Sequence, residues 1–142
     1  MGTVRAVCAS AEKGTVKRDT GRAELIARHG LKGDAHAGSG DRQVSLLSLE
    51  KIEAFRAKGA EVTYGDFGEN IVAEDIDFAG LSIGTKLRCG EALLQITQIG
   101  KECRSRCAIY HRMGDCIMPR EGTFALVLQG GVVQTGDDIH AE

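Results

Sequence analysis

The sequence predicts a mainly β chain with a few helices (α+β), its strands closing into a β-barrel with the helices outside. Three observations point there. Short apolar runs alternate with polar, glycine-marked breaks; nineteen glycines stand against a single proline; and only one segment carries a convincing helical stripe. The runs also follow one another too closely for regular βαβ units. With 142 residues, 42% of them hydrophobic, the chain suits one domain over residues 1–142.

Thr3 to Cys8 alternates well enough to open the fold as a strand, with Cys8 its last apolar residue. Ser10 to Arg22 is polar and reads as a loop, and Ala23 to Arg28 returns to a short strand. Gly30 to Arg42 is glycine-rich and mixes Lys32, His36 and Arg42 among its small residues, so backbone and cations could approach an anion together. It has neither the P-loop order nor a dinucleotide fingerprint. A solvated loop with a surface histidine would read the same way.

Gln43 to Leu47 is a strand, and Ser48 is a good N-cap for a helix running to about Lys58. Leu49, Ile52 and Phe55 share one face, Glu50 suits the first turn, and Gly59 supplies the stop. Tyr64 to Val72 is a turn entering a strand, with Glu69 and Asn70 at the junction. Asn70 can donate and accept, and so could orient a polar ligand or satisfy its own turn. Phe78 and Leu81 tuck a loop inward. Lys86–Cys89 and Ala92–Ile99 then flank Gly90-Glu91 as a hairpin. Thr123–Leu128 and Gly131–Val133 are expected to form a closing hairpin through Gln129-Gly130, and Gly136 to Ile139 finishes the chain.

Between the last two strand groups lies the stretch richest in chemistry, Gly100-Lys101-Glu102-Cys103-Arg104-Ser105-Arg106-Cys107. A thiolate is the reactive form of cysteine, and cations such as Lys101, Arg104 and Arg106 favour it at Cys103. Cys107 follows at helical spacing, and Ala108 to Met113 continues a short helical turn. Three other readings use the same residues. Cys103 and Cys107 could be small core residues; they could form a disulfide; or Cys103, Cys107, His111 and Cys116 could hold zinc, although their spacing matches no standard finger.

Composition excludes several classes. The net charge of −2, with no Trp, two Tyr and four Phe, argues against nucleic acid as a partner. No apolar run approaches the roughly 18 residues of a membrane span, and the first residues lack a secretory pattern, so a cytoplasmic protein free of the membrane is expected. Five cysteines, an odd number clustered late in the chain, fit a reducing compartment.

In this order, Gly30-Leu31-Lys32-Gly33-Asp34-Ala35-His36-Ala37-Gly38, Arg42-Gln43-Val44-Ser45-Leu46-Leu47, Phe67-Gly68-Glu69-Asn70-Ile71, Ile83-Gly84-Thr85 and the Cys103 stretch resemble the MOSC domain, the module named for the C-terminal part of molybdenum-cofactor sulfurases. The likeness runs from Val4 to about Ile139. It implies a β-barrel and a pocket for the molybdenum cofactor (molybdopterin) or a precursor. It also implies one cysteine, Cys103, that carries sulfur or ligates the metal. Lys32, His36, Arg42, Asn70, Lys101 and Arg104 become the expected cofactor-binding residues. The family often has Arg-x-Pro-Cys where this chain reads Lys101-Glu102-Cys103. With its second Cys and its Gly-Asp-Cys-Ile-Met-Pro-Arg-Glu-Gly stretch, the chain is similar instead to the short bacterial subgroup associated with cofactor assembly. The implied partners are cofactor-assembly proteins or molybdoenzymes, and pyridoxal phosphate has no expected place. Some similar proteins reduce N-hydroxylated bases, which here would need a separate redox partner.

Overall fold

The computed structural model describes residues 2–10, 17–34, 37–38, 43–59, 62–65, 67, 69–100 and 122–142. Its strands are β1 (Gly2–Ala9), β2 (Arg18–Asp19), β3 (Arg22–Ile26), β4 (Gly30–Leu31), β5 (Val44–Ser48), β6 (Ile71–Glu74), β7 (Lys86–Cys89), β8 (Ala92–Ile99), β9 (Thr123–Gln129), β10 (Gly131–Gln134) and β11 (Asp138–Ala141). One α-helix, α1 (Leu49–Arg56), and one 3₁₀ turn at Phe78–Gly80 accompany them among the described residues. Seven strands run β11-β7-β8-β9-β5-β6-β1, and β1 pairs back to β11, so the sheet closes into the expected barrel. β2 extends β1, and β10, β3 and β4 form a second, smaller sheet.

The period of two along each strand divides the apolar residues between two cores. Val44, Leu46, Ile71, Leu87, Leu94, Ile96, Val127 and Ile139 belong to one cluster, which draws on all seven barrel strands and so fills the interior. Ala6, Cys8, Leu47, Val72 and Phe124 point the other way, against Leu49, Ile52 and Phe55 of α1. Burying each large apolar side chain of α1 stabilises the fold by about 1.5–3 kcal/mol. Val4 and Val7 both face the interior although three residues apart, because the β1–β6 register shifts between Val4 and Ala6. That bulge resets which face the strand presents.

The β7–β8 hairpin forms in the expected register, Cys89 opposite Ala92, and Phe78 is buried with Leu81 packed beside the interior core. Ser48 has the extended backbone of an N-cap, but its hydroxyl serves the next segment, donating to the Ile76 carbonyl at 2.6 Å and accepting from Phe78 N at 3.3 Å. The helix ends at Arg56, short of Lys58, because i→i+3 bonds from Lys58 and Gly59 tighten its last turn and Gly59 takes φ +98°.

Other boundaries differ from the sequence reading. The stretch from Ser10 to Arg22 contains β2, and the glycine-rich segment begins with β4. β3 ends at Ile26, since Arg28 has φ +59° and cannot continue a strand. The closing hairpin through Gln129-Gly130 is replaced by a change of sheet. β9 pairs with β8 and β5, whereas β10 pairs with β3. A Cβ at Gly130 would lie 2.6 Å from the Leu25 carbonyl, and one at Gly131 would lie 2.6 Å from the Glu91 side chain. The two glycines let the chain pass through this tight corner and leave the barrel for the smaller sheet. The short helical turn expected after Cys107 lies outside the described residues.

Residues far apart in sequence are aligned in one row across the barrel sheet. Val7, Ile71, Leu46, Thr123 and Ile99 form a lateral row, successive partners across β1, β6, β5, β9 and β8.

Candidate functional site

Cys8, Asn70 and Ser45 stand one residue to one side of this row. The Asn70 side chain is buried, its Oδ1 accepting from Ser45 N at 2.9 Å and its Nδ2 donating to the Cys8 carbonyl at 3.0 Å. Its main chain repeats both links, Asn70 N donating to the Ser45 carbonyl at 2.9 Å and Cys8 N donating to the Asn70 carbonyl at 2.6 Å. An amide is required because one end must accept and the other donate. The Ser45 hydroxyl next to it is buried and has no hydrogen-bond partner among the described residues.

Asp34 continues the network. Its Oδ1 accepts from Lys17 Nζ at 2.7 Å and from Ser10 N at 3.0 Å, and both members of the ion pair have side chains with 0% exposure. Burial by itself pushes the Asp34 carboxyl up. The Lys17 bond and charge, the Ser10 N–H and the Asn70 side chain together outweigh it and hold the carboxyl below its ordinary value. Lys17 reaches this position because its N–H bonds the Gly65 carbonyl at 3.0 Å, and Gly65, at φ +93°, approaches so closely that a Cβ there would strike the Lys17 carbonyl. Glu69, which precedes Asn70 in the chain, is buried, its Oε1 accepting from Phe67 N at 3.0 Å.

The glycine-rich segment hangs on this network. Ala37 N donates to the Asp34 carbonyl at 3.2 Å and Gly38 N to the His29 carbonyl at 2.7 Å. Gln43 is buried and takes a bond from Val127 N at 3.0 Å. Described, anchored backbone therefore brackets His36 and Arg42. Gly33 and Gly38 face outward, with no described atom within 4 Å of a Cβ built on either. On the far side of the row, Gly100 N bonds the Gly122 carbonyl at 2.6 Å, holding together the two ends of the chain that flank residues 101–121.

Of the residues singled out from sequence, two are described. Asn70 lies in the buried network, and Lys32 lies exposed two positions before Asp34, its N–H on the Glu24 carbonyl at 2.9 Å. His36, Arg42, Lys101, Cys103 and Arg104 lie outside the described residues, as do the remaining zinc candidates Cys107, His111 and Cys116. Lys17, Asp34 and Glu69 were not foreseen. Asp34 stands inside the Gly30–Gly38 motif and Glu69 inside the Phe67–Ile71 motif, so both could have been drawn from the sequence. Lys17 offers no local signal, because a lysine is buried only where a distant carboxylate meets it.

A concavity of about 710 Å³ lies away from this network, between β7, β11 and the smaller sheet, lined by Arg22, Arg88, Asp137, Asp138 and His140 among others. It belongs to the other end of β1, where Val4 N donates to the Asp137 carbonyl at 2.8 Å. Much of its charge is already engaged: Arg88 pairs with Glu142 at 3.1 Å, and Asp137 accepts from Gln134 N at 2.9 Å. Cys89 nearby is buried, and burial, with the Asp137 charge, pushes its thiol up to about 12, so it stays protonated and inert. Among the described residues no three His, Cys, Asp or Glu are grouped to hold a metal, and no helix is long and apolar enough to cross a membrane.

A family model for the MOSC domain matches residues 33–140. The YuaD protein from Bacillus subtilis superposes with a TM-score of 0.81 at 18% identity, over 98% of this chain and 94% of that one. YiiM from Geobacillus stearothermophilus gives 0.77 at 20% identity, over 100% and 75% of the two chains. YiiM from Escherichia coli gives 0.65 at 19%, over 99% and 69%. At these identities the solved structures speak for the fold. A search of curated proteins returned no significant match.

Proposed function

This chain belongs to the MOSC domain family, which is associated with the molybdenum cofactor, and on that premise we propose that it binds this cofactor or a molybdopterin precursor through the glycine-rich segment that Asp34 and Asn70 anchor. Cys103 is the residue that engages its metal or carries its sulfur. The observation that carries the reading is the meeting of two motifs far apart in sequence, the Asp34 carboxylate of the glycine-rich segment being held by the Asn70 side chain together with Lys17 and Ser10 N.

The described residues fit an anionic, hydrogen-bonding ligand. Bare backbone at Gly33 and Gly38 borders open space beside the exposed Lys32, and the buried Ser45 hydroxyl has hydrogen-bonding capacity that no described residue uses. The Asn70 amide is occupied by Ser45 and Cys8, so its contribution is to hold the frame. When bound, the cofactor supplies the redox and sulfur chemistry of molybdenum. The chain supplies a soft thiolate at Cys103, kept anionic by Lys101 and Arg104, and donors at Lys32, His36 and Arg42 for oxo or phosphate oxygens. The receivers of such a cofactor are assembly proteins or molybdoenzymes.

The test is metal analysis with pterin fluorescence on protein from a host that makes the cofactor, comparing wild type with Cys103→Ser. Molybdenum and pterin present in the first and lost in the second are the expected result. Equal retention in both would overturn the role of Cys103, and zinc alone in wild type would overturn the cofactor reading. Turnover of an N-hydroxylated base with an added electron donor would mark a reductase, and its absence in loaded protein a carrier.

A further inference from the structure

The Lys17–Asp34 ion pair is buried more completely than a solvated surface contact would be, and it joins two segments that no described β-ladder connects. Lys17 arrives from the stretch before β2, and Asp34 opens the segment carrying His36 and Arg42. Ser10, which follows β1, and Asn70, which precedes β6, meet the same carboxylate. Taking two charges out of water is costly, and an apolar pair of similar volume would hold the fold together equally well. What an apolar pair lacks is direction. The ammonium, the Ser10 N–H and the Asn70 side chain together hold the Asp34 carboxylate. The Asp34 carbonyl in turn accepts from Ala37 N, which adjoins His36.

We propose that Lys17 and Asp34 are positioning residues that fix the backbone at Asp34, Ala37 and Gly38, on either side of His36 in the chain, against Asn70. This rests on the cofactor reading for its functional consequence, whereas the positioning itself can be measured without cofactor. Supporting shells of this kind typically change affinity by about 10–100-fold when removed.

The variant that separates positioning from mere stability is Lys17→Met/Asp34→Leu, which removes both charges at similar volume and leaves neither partner buried alone. Its Tm should stay near that of wild type. Hydrogen exchange at the Ala37 and Gly38 amides should accelerate at least about tenfold, and molybdopterin binding should weaken by about 10–100-fold. Lys17→Arg, which keeps charge and direction, should recover much of both losses. Unchanged exchange at Ala37 and Gly38 in a folded double variant would overturn the proposal. If wild type binds no pterin while exchange in the variant still rises, the positioning role stands and the cofactor reading falls. Should the double variant fail to fold, Asp34→Asn decides: faster exchange at the Ala37 and Gly38 amides supports the proposal, and wild-type exchange there overturns it.

Discussion

The two ends of β1 hold the same chemical object in opposite settings. At one end, Lys17 and Asp34 meet at 2.7 Å with no exposure of either side chain; at the other, Arg88 and Glu142 meet at 3.1 Å with 33% and 43% of theirs in solvent. Distance barely distinguishes the two pairs. Water does, because the exposed pair exchanges one set of solvated contacts for another, whereas the buried pair has no fallback if one partner is lost. The buried pair therefore fixes the position of whatever it holds, and the exposed pair mainly decorates a cleft.

The strongest way to break the comparison is Asp34→Ala, which leaves the Lys17 ammonium buried without its carboxylate. It should cost about 3–5 kcal/mol, read as a lower urea midpoint with unchanged slope. A loss below about 1 kcal/mol would place Asp34 with the surface pairs.

An acid titration of stability sharpens the contrast. The Asp34 carboxyl is held below its ordinary value, so the folded state binds its proton less readily than the unfolded chain. Its contribution is complete above the unfolded value near 3.8 and disappears as the pH falls through the lower folded value. Wild type should lose stability as the pH falls below about 4 more steeply than Lys17→Met/Asp34→Leu. Parallel profiles would show that Asp34 does not carry that dependence.

The smallest effect belongs to the open cleft. Arg88→Ala should change stability by only about 0.2–1 kcal/mol, and less at high salt. A larger, salt-insensitive loss would mean that this cleft resembles the Asp34 network after all.

What can be read from sequence follows the range of the forces involved. The hairpin at Gly90-Glu91, the helix stripe of Leu49, Ile52 and Phe55, and the inward Phe78 are written in neighbouring residues and could be read directly. The barrel followed from strand spacing and from the family likeness. The exchange of sheets at Gly130 was not legible, since two apolar runs joined by Gln-Gly look like a hairpin until the crowding by Leu25 and Glu91 is known. Lys17 was hidden for a related reason: its polar neighbourhood announces a loop, and only the fold reveals Asp34 beside it. Asn70 could be named as versatile, but its two acceptor and donor duties are set by Ser45 and Cys8 on other strands.

Closure of the barrel joins Gly2 to Ile139 and Thr3 to Asp138, residues from opposite ends of the described chain. A seam of this kind is a matter of timing as well as architecture. β1 can take up β6 while the chain is still growing, but its other edge carries only β2, at Cys8 and Ala9, and stays open at Gly2 and Thr3 until β11 has been made. Contacts so distant in sequence form slowly, and an open edge bonds readily to another chain in the interval. Crowded synthesis is therefore the condition under which this protein is most exposed to misassembly, and early release of a chain lacking β11 would leave that edge permanently available.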